Sequence, residues 1–200
     1  MKINYFPILL LVLVSCNKEI TNTKLKGPIF GTFYEVTYTA KGNENYQKHL
    51  DNIFEAVNQS MSNYKADSDI SKVNKHELDV VDSYFVDVFK AAKKIYNQTD
   101  GVFDPTIGKL VNAWNFGSEE YKTKLDSIKI DSIMQYVGFE KVRLNNNVLI
   151  KSDPKPYIDF NAIAKGYAVD LVAAFLDSKA SDNYMINIGV ELRTKGINIE

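Results

Sequence analysis

No strand–helix–strand repeat runs along this chain, and that absence constrains its fold more than any other feature. Strand-like and helix-like segments follow one another irregularly. "GTFYEVTYTA" (31–40) is rich in aromatic and β-branched residues and reads as a strand. Between Asn43 and Tyr64, Leu50, Ile53, Phe54, Val57 and Met61 fall on one helical face. "YKADSDISKVN" follows as a polar turn with an N-cap at Ser68 or Asp69. A second helix is expected from Asp82 to Gln98, burying Phe85, Val88, Phe89, Ala92 and Tyr96. "TDGVFDPTIG" (99–108) reads as a loop, since Pro105 biases Asp104 away from helix. A short helix capped by Asp131 is expected over 131–137, then a hairpin over 141–152 turning at Asn145–Asn147. "YIDF" reads as a short strand. Asn161 opens a helix with Ala164, Ala168, Leu171, Val172 and Phe175 on its apolar face, and residues 184–189 and 191–196 are strand-like. This irregular order predicts an α+β fold, with mixed or antiparallel sheets and packed helices, rather than a doubly wound sheet.

The 200 residues suit about one domain, and 45% hydrophobic against 24% charged residues allow a true core. A formal net charge of −1 gives no basic footprint for nucleic acid. The first sixteen residues stand apart. Lys2 precedes an apolar run through Val14 that is too short to cross a bilayer. Its form is that of an export signal, and Leu13-Val14-Ser15-Cys16 resembles a bacterial lipobox. Cys16 is the only cysteine, so it forms no disulfide within one chain and is expected to be lipidated. Residues 1–16 are then a lipoprotein signal peptide, residues 17–27 a polar tether, and residues 28–200 the folded part. Such a protein sits in the cell envelope, anchored to a membrane and facing the periplasm.

Three segments carry groups suited to chemistry. In "IDFNAIAKGYAVD" (158–170), a strand ending at Asp159 meets a helix starting near Asn161. The free N–H groups of such a helix start favour an anion such as phosphate, and Lys165 lies one turn in. The turn's carbonyls are oxygen ligands of the kind Mg²⁺ takes. The same residues equally fit an ordinary helix cap with a solvated lysine. In "GVFDPTIGKLVNAWNFG" (101–117), Phe103, Trp114 and Phe116 lie near Asp104 and Thr106. They form either a slot for a flat ring or a loop pinned by core aromatics. In "MSNYKADSDIS" (61–71), Tyr64 ends a helix, where its ring stacks on a ligand or covers the core. His49 and His76 stand alone among polar residues, and no Gly-rich phosphate loop or G-x-S-x-G elbow is present.

Taken in order, "FGT" (30–32), "MSNY" with "SDIS" (61–71), "TDGVFDPTIGKLVNAWNFG" (99–117), "DFNAIAKGYAVD" (159–170) and "NIGVELRTKG" (187–196) resemble the ApbE family of FAD:protein FMN transferases. The resemblance implies an ApbE-like fold related to the T-fold. It also implies an enzyme that uses FAD and Mg²⁺, moves FMN onto a threonine of a target protein, and releases AMP. Targets in the family include subunits of membrane redox pumps. By position, Phe30 stands where the family usually has Met beside the nucleotide, and Tyr64 matches a ligand-contacting Tyr. Val102, Phe103 and Asp104 match the segment along FAD, Asp159 and Lys165 match two further contacts, and the backbone oxygen of Ala162 matches a Mg²⁺ ligand. No residue of this chain is matched to a catalytic role.

Two departures follow from the same comparison. Gly189-Val190 replaces the usual Gly-Gly, and a β-branched residue there is expected to hinder close approach. Family members also continue beyond the point reached here, with Asp and Thr side chains that complete the Mg²⁺ site and a candidate catalytic histidine. Residues 28–200 are therefore expected to be the N-terminal two-thirds of the domain, incomplete at the C-terminus. The other functions open to such a chain are a non-catalytic flavin-binding or interaction lipoprotein, and an FAD pyrophosphatase giving FMN and AMP.

Overall fold

The computed structural model describes residues 20–42, 44–121, 124–152 and 155–198. Its centre is a four-stranded antiparallel sheet in the order β1-β2-β5-β6. The strands are β1 (Ile20–Ile29), β2 (Thr32–Lys41), β5 (Tyr184–Ile188) and β6 (Glu191–Lys195). A separate hairpin pairs β3 (Val142–Asn145) with β4 (Val148–Lys151). The helices are α1 (Gln47–Met61), α2 (Asp69–Asn74), α3 (Ser83–Gln98), α4 (Gly108–Ala113), α5 (Ser127–Met134) and α6 (Asn161–Ser178). The expected α+β class is what forms.

One face of the sheet supplies the core. Along β2, the alternation that the sequence displays turns Tyr34, Val36 and Tyr38 inward, and Ile186 and Ile188 join them from β5. Helix α1 buries Leu50, Phe54, Val57 and Met61, the stripe its 3.6-residue period predicts, with Ile53 at the margin. Helix α3 buries Phe85, Val88, Phe89 and Ala92, and the Asp82 carboxylate caps it by accepting from the Phe85 N–H at 2.8 Å. Helix α6 packs on β5, β6, α1 and α3 together. Its buried set is accordingly Ala168, Val169, Val172, Ala173 and Leu176, while Ala164, Leu171 and Phe175 are only partly covered. A single apolar stripe was the expectation; a helix with neighbours on several sides needs a wider one. Edge-on aromatic contacts tie the layers: Phe85 with Phe160 at 5.1 Å and Phe89 with Phe139 at 4.8 Å.

Several expected elements are corrected. Residues 20–27 are not tether; they form most of β1, paired with β2 over ten residues in register. An edge strand with one wet face needs few apolar residues: Leu25 points in, while Lys24 and Lys26 reach Glu35 at 2.6 and 2.9 Å. Cys16, the signal segment and residues 17–19 lie outside the described residues. "YIDF" is not a strand; only Tyr157 makes a single bridge, to Ile107. The short helix begins at Ser127, not 131, because Asp126 caps it through the Lys129 N–H. It buries no residue, so its periodicity was weak. Of the two caps considered for α2, Ser68 is the one used, accepting from Ser71 N–H. His49 and His76 are both exposed, and His49 stacks on Phe175 at 4.9 Å.

Lys151 ends β4 and points into the protein. Its ammonium donates to the carbonyls of Val73 at 3.0 Å and Pro156 at 3.1 Å, tying the hairpin to α2 and to the approach to α6. Burial, with Lys109 nearby, lowers its pKa to about 8. The folded chain thus releases this proton before the unfolded chain does, so folding is favoured as pH rises from about 8 towards the ordinary lysine value of 10.5. Tyr38, Tyr46, Tyr96, Tyr157 and Tyr167 are shifted upward from the ordinary value of 10.0, so they lower stability as pH approaches and passes 10. Thermal unfolding followed from about pH 8 to about pH 9, below the tyrosine range, should show the parent gaining stability with pH. Lys151→Arg, which stays charged throughout, should lose that gain.

Candidate functional site

A cleft of about 1010 Å³ opens beside the sheet. Its walls come from the β1–β2 turn, the end of α1 and the loop after it, the loop before α4, and the start of α6. Every residue matched by position to a ligand or metal contact lines it: Phe30, Tyr64, Val102, Phe103, Asp104, Asp159, Ala162 and Lys165. These positions span more than a hundred residues of sequence, and the fold alone brings them together.

The β1–β2 turn is held by two left-handed residues, Phe30 (φ 48°) and Gly31 (φ 72°). Such a pair suits the right-handed twist of a hairpin, but phenylalanine adopts it at a cost that glycine or asparagine avoids. The ring it presents lies edge-on to Phe54 at 6.0 Å and forms one wall of the cleft. Strain of this kind is commonly stored at functional sites. Opposite, Tyr64 is 64% exposed and donates its hydroxyl to the carbonyl of Phe116 at 3.2 Å. Phe116 and Val102 are 78% and 90% exposed on the same cleft. Exposed apolar side chains gathered in one concave site mark a place where a flat apolar group is covered. Trp114, grouped with them from sequence, is not part of the lining.

The loop carrying Val102 and Phe103 is braced from beneath. Gly138 N–H donates to Thr106 Oγ1 at 2.8 Å, and Thr106 O–H donates to Asp104 Oδ1 at 2.6 Å. The same oxygen accepts from Thr106 N–H at 2.8 Å, and Asp104 Oδ2 accepts from Phe139 N–H at 3.1 Å. The Asp104 carboxylate therefore fixes the loop while its residue lines the cleft. Gly108 allows α4 to approach Tyr157: its N–H donates to the Tyr157 carbonyl at 3.1 Å, and a Cβ there would overlap the Tyr157 ring.

At the start of α6, Asp159 Oδ1 accepts from Asn161 N–H at 2.7 Å and Oδ2 from the Asn161 amide at 3.2 Å. Burial pushes the Asp159 carboxyl above the usual range, and these hydrogen bonds offset only part of that. Lys165 reaches Glu191 Oε1 at 3.6 Å and is about one-third exposed. An eighteen-residue helix thus directs its positive end, a lysine and one reluctant anion at the same space. Asn58, Ser62, Lys65 and Asn161 also line the cleft. Sequence reasoning passed over their lining role, since single polar residues at helix ends carry no motif. Lys65 is paired with Glu55 at 2.6 Å.

Val190 does not obstruct the site as expected. Gly189 alone takes the left-handed turn between β5 and β6 (φ 66°), and Val190 points to solvent, 88% exposed and outside the cleft lining. For a cation, Ala162 supplies one backbone oxygen at most. Among the described residues no group of three or more His, Cys, Asp or Glu side chains could hold a metal. These residues alone do not build a Mg²⁺ site, whose octahedral shell needs six oxygens.

The ApbE family model matches residues 30–200. The chain belongs to the ApbE family. It is 36% identical over 94% of its length to the FAD:protein FMN transferase of Vibrio cholerae, and 35% identical over 95% to that of Haemophilus influenzae. It spans 59% of each of those relatives. Among solved structures, it resembles the flavin transferase ApbE of Vibrio cholerae with a TM-score of 0.84 and 34% identity, covering 90% of this chain and 61% of that one. The flavinyl transferase ApbE of Pseudomonas stutzeri, in its apo form, matches with a TM-score of 0.81 and 26% identity, covering 88% and 62%.

Removing the brace tests the local account. Asp104→Ala strips partners from the Thr106 hydroxyl and two backbone N–H groups, and should cost about 2–4 kcal/mol of stability in denaturant unfolding. Gly108→Ala should also destabilise, because a methyl group there would meet the backbone carbonyl of Tyr157 at 2.9 Å as well as its ring.

Proposed function

We propose that this cleft binds FAD and serves transfer of its FMN half to a threonine of a target protein, with release of AMP. The observation that carries the reading is the convergence of four of the five ApbE-matching segments on one cleft. That cleft has an apolar wall and a positively polarised helix start. The aromatic wall of Phe30, Tyr64, Phe103 and Phe116 suits a flat ring. Lys165 and the α6 N-terminus suit a pyrophosphate.

In such a transfer the threonine oxygen attacks the phosphorus on the FMN side of the pyrophosphate. The bond to the bridging oxygen breaks, AMP leaves with that oxygen and its electron pair, and the hydroxyl proton passes to water. Little covalent chemistry is asked of the protein, so positioning and charge neutralisation do most of the work. Lys165 must exchange Glu191 for phosphate, and the partly buried Asp159 sets the polarity beside it. The carbonyl of Ala162 would supply one protein oxygen to a Mg²⁺, and such an ion would neutralise phosphate charge.

The acceptor we expect is a protein with an accessible threonine, such as a subunit of a membrane redox pump. The lipobox-like Leu13–Cys16 supports a lipid-anchored protein of the cell envelope that faces the periplasm. Labelling of the expressed chain with a radioactive fatty acid should be lost in Cys16→Ser; labelling that persists rules out this anchor.

Incubation of the polypeptide with FAD, Mg²⁺ and an acceptor domain should give a fluorescent flavinylated band that survives denaturing electrophoresis. Free FMN and AMP without such a band would instead support the pyrophosphatase reading. FAD binding with no turnover would support a non-catalytic flavin-binding protein.

A further inference from the structure

Ile158 is wholly buried and lies in neither a strand nor a helix, so its backbone polar groups need partners from elsewhere. Asn74, the last residue of α2, supplies both. Ile158 N–H donates to Asn74 Oδ1 at 2.8 Å, and Asn74 Nδ2 donates to the Ile158 carbonyl at 2.9 Å. A side-chain amide here makes the two-point contact that a neighbouring strand would otherwise make. Asn63, itself buried, stands behind it. Its Nδ2 reaches the same carbonyl at 3.4 Å, and its Oδ1 accepts from Asn74 at 3.4 Å. Asn63 also lies beside the Asp159 carboxylate and favours its charged form. The next backbone group, Asp159 N–H, donates to the Pro105 carbonyl at 2.8 Å. Three cleft walls therefore meet on one dipeptide: the loop after α1, the loop before α4, and the start of α6.

We propose that Asn74, backed by Asn63, is a positioning residue of the nucleotide site, clamping Ile158 so that Asp159 and the first turn of α6 face the ligand. The proposal rests on reading the cleft as an FAD site. Asn74 is absent from the cleft lining and acts through Ile158. The chemistry requires asparagine. Aspartate offers acceptors only and would set its second oxygen against the Ile158 carbonyl. Alanine offers neither group, and glutamine places its amide one methylene too far out. Asn74 closes the segment whose first part, "SDIS", follows the loop carrying Tyr64, so one short stretch supplies both a cleft wall and its brace.

The test is titration of the chain with FAD, followed by flavin fluorescence, for the parent, Asn74→Ala, Asn74→Asp and a control, Val73→Ala. Val73 is buried in α2 beside Asn74 and lies outside the FAD cleft, so its truncation lowers stability while leaving the clamp intact. Loss of two hydrogen bonds at the site should weaken FAD binding about tenfold in both Asn74 variants, with Val73→Ala close to the parent even where its melting temperature falls as far. A second readout is the carboxyl titration of Asp159 by NMR, which should move in Asn74→Ala and stay in place in Val73→Ala. If Asn74→Ala binds FAD as the parent does, or Val73→Ala weakens binding equally, the positioning role is wrong although the flavin reading stands. A parent chain that takes up no FAD overturns both.

Discussion

Burial of a single face of the antiparallel sheet organises everything else in this molecule. Val36, Tyr38, Ile186 and Ile188 are almost fully withdrawn from water, and only helices laid across that face can cover them. Helices α1 and α6 do so, with α3 packed against both. Helix α1 stops at Met61 and α6 starts at Asn161, and residues at both ends line the cleft. The end of one and the beginning of the other are therefore brought side by side, and the cleft is the space between those ends. The ligand groups are a by-product of covering the sheet, since a helix start carries unpaired N–H groups wherever it falls.

Around the cleft, the backbone runs through segments that regular secondary structure cannot satisfy, and side chains take over. Asp104 and Thr106 bind backbone N–H groups of the 104–106 turn and of Gly138–Phe139. Asn74 does the same for Ile158. Phe30 accepts a left-handed backbone so that its ring stands at the turn rather than inside the sheet. Each of these is a local cost, and each fixes a wall of one cavity. Such a site tolerates few substitutions, because most of its polar residues are spent on holding it open.

Much of this was legible in the sequence. The stripes of α1 and α3 and the alternation in β2 follow from strong periodicity, which packing then uses as written. The cleft residues were legible through resemblance rather than physics. Tyr64, Asp159 and Lys165 taken singly look like a helix end, a cap and a solvated lysine. What the sequence hid was of a different kind. Residues 20–27 looked like a tether because an edge strand carries its apolar residues sparsely, and only pairing with β2 reveals it. "YIDF" looked like a strand because its side chains suit one, yet its backbone partners come from no neighbouring strand: the N–H of Gly108, the side chain of Asn74 and the carbonyl of Pro105. No local pattern encodes a partner 84 positions away. Val190 looked obstructive because a family pattern has glycine there, but the left-handed position is Gly189 alone.

The central claim is that one cleft, assembled from segments distant in sequence, accommodates FAD with its ring on the aromatic wall and its pyrophosphate at the start of α6. The most direct measurement is mapping of amide chemical-shift changes when isotope-labelled chain is titrated with FAD. The account predicts saturable changes concentrated at residues 30–31, 62–65, 102–107 and 159–165, with the β3–β4 hairpin and the far end of α6 unchanged. Changes centred elsewhere, or none at saturating FAD, would contradict it.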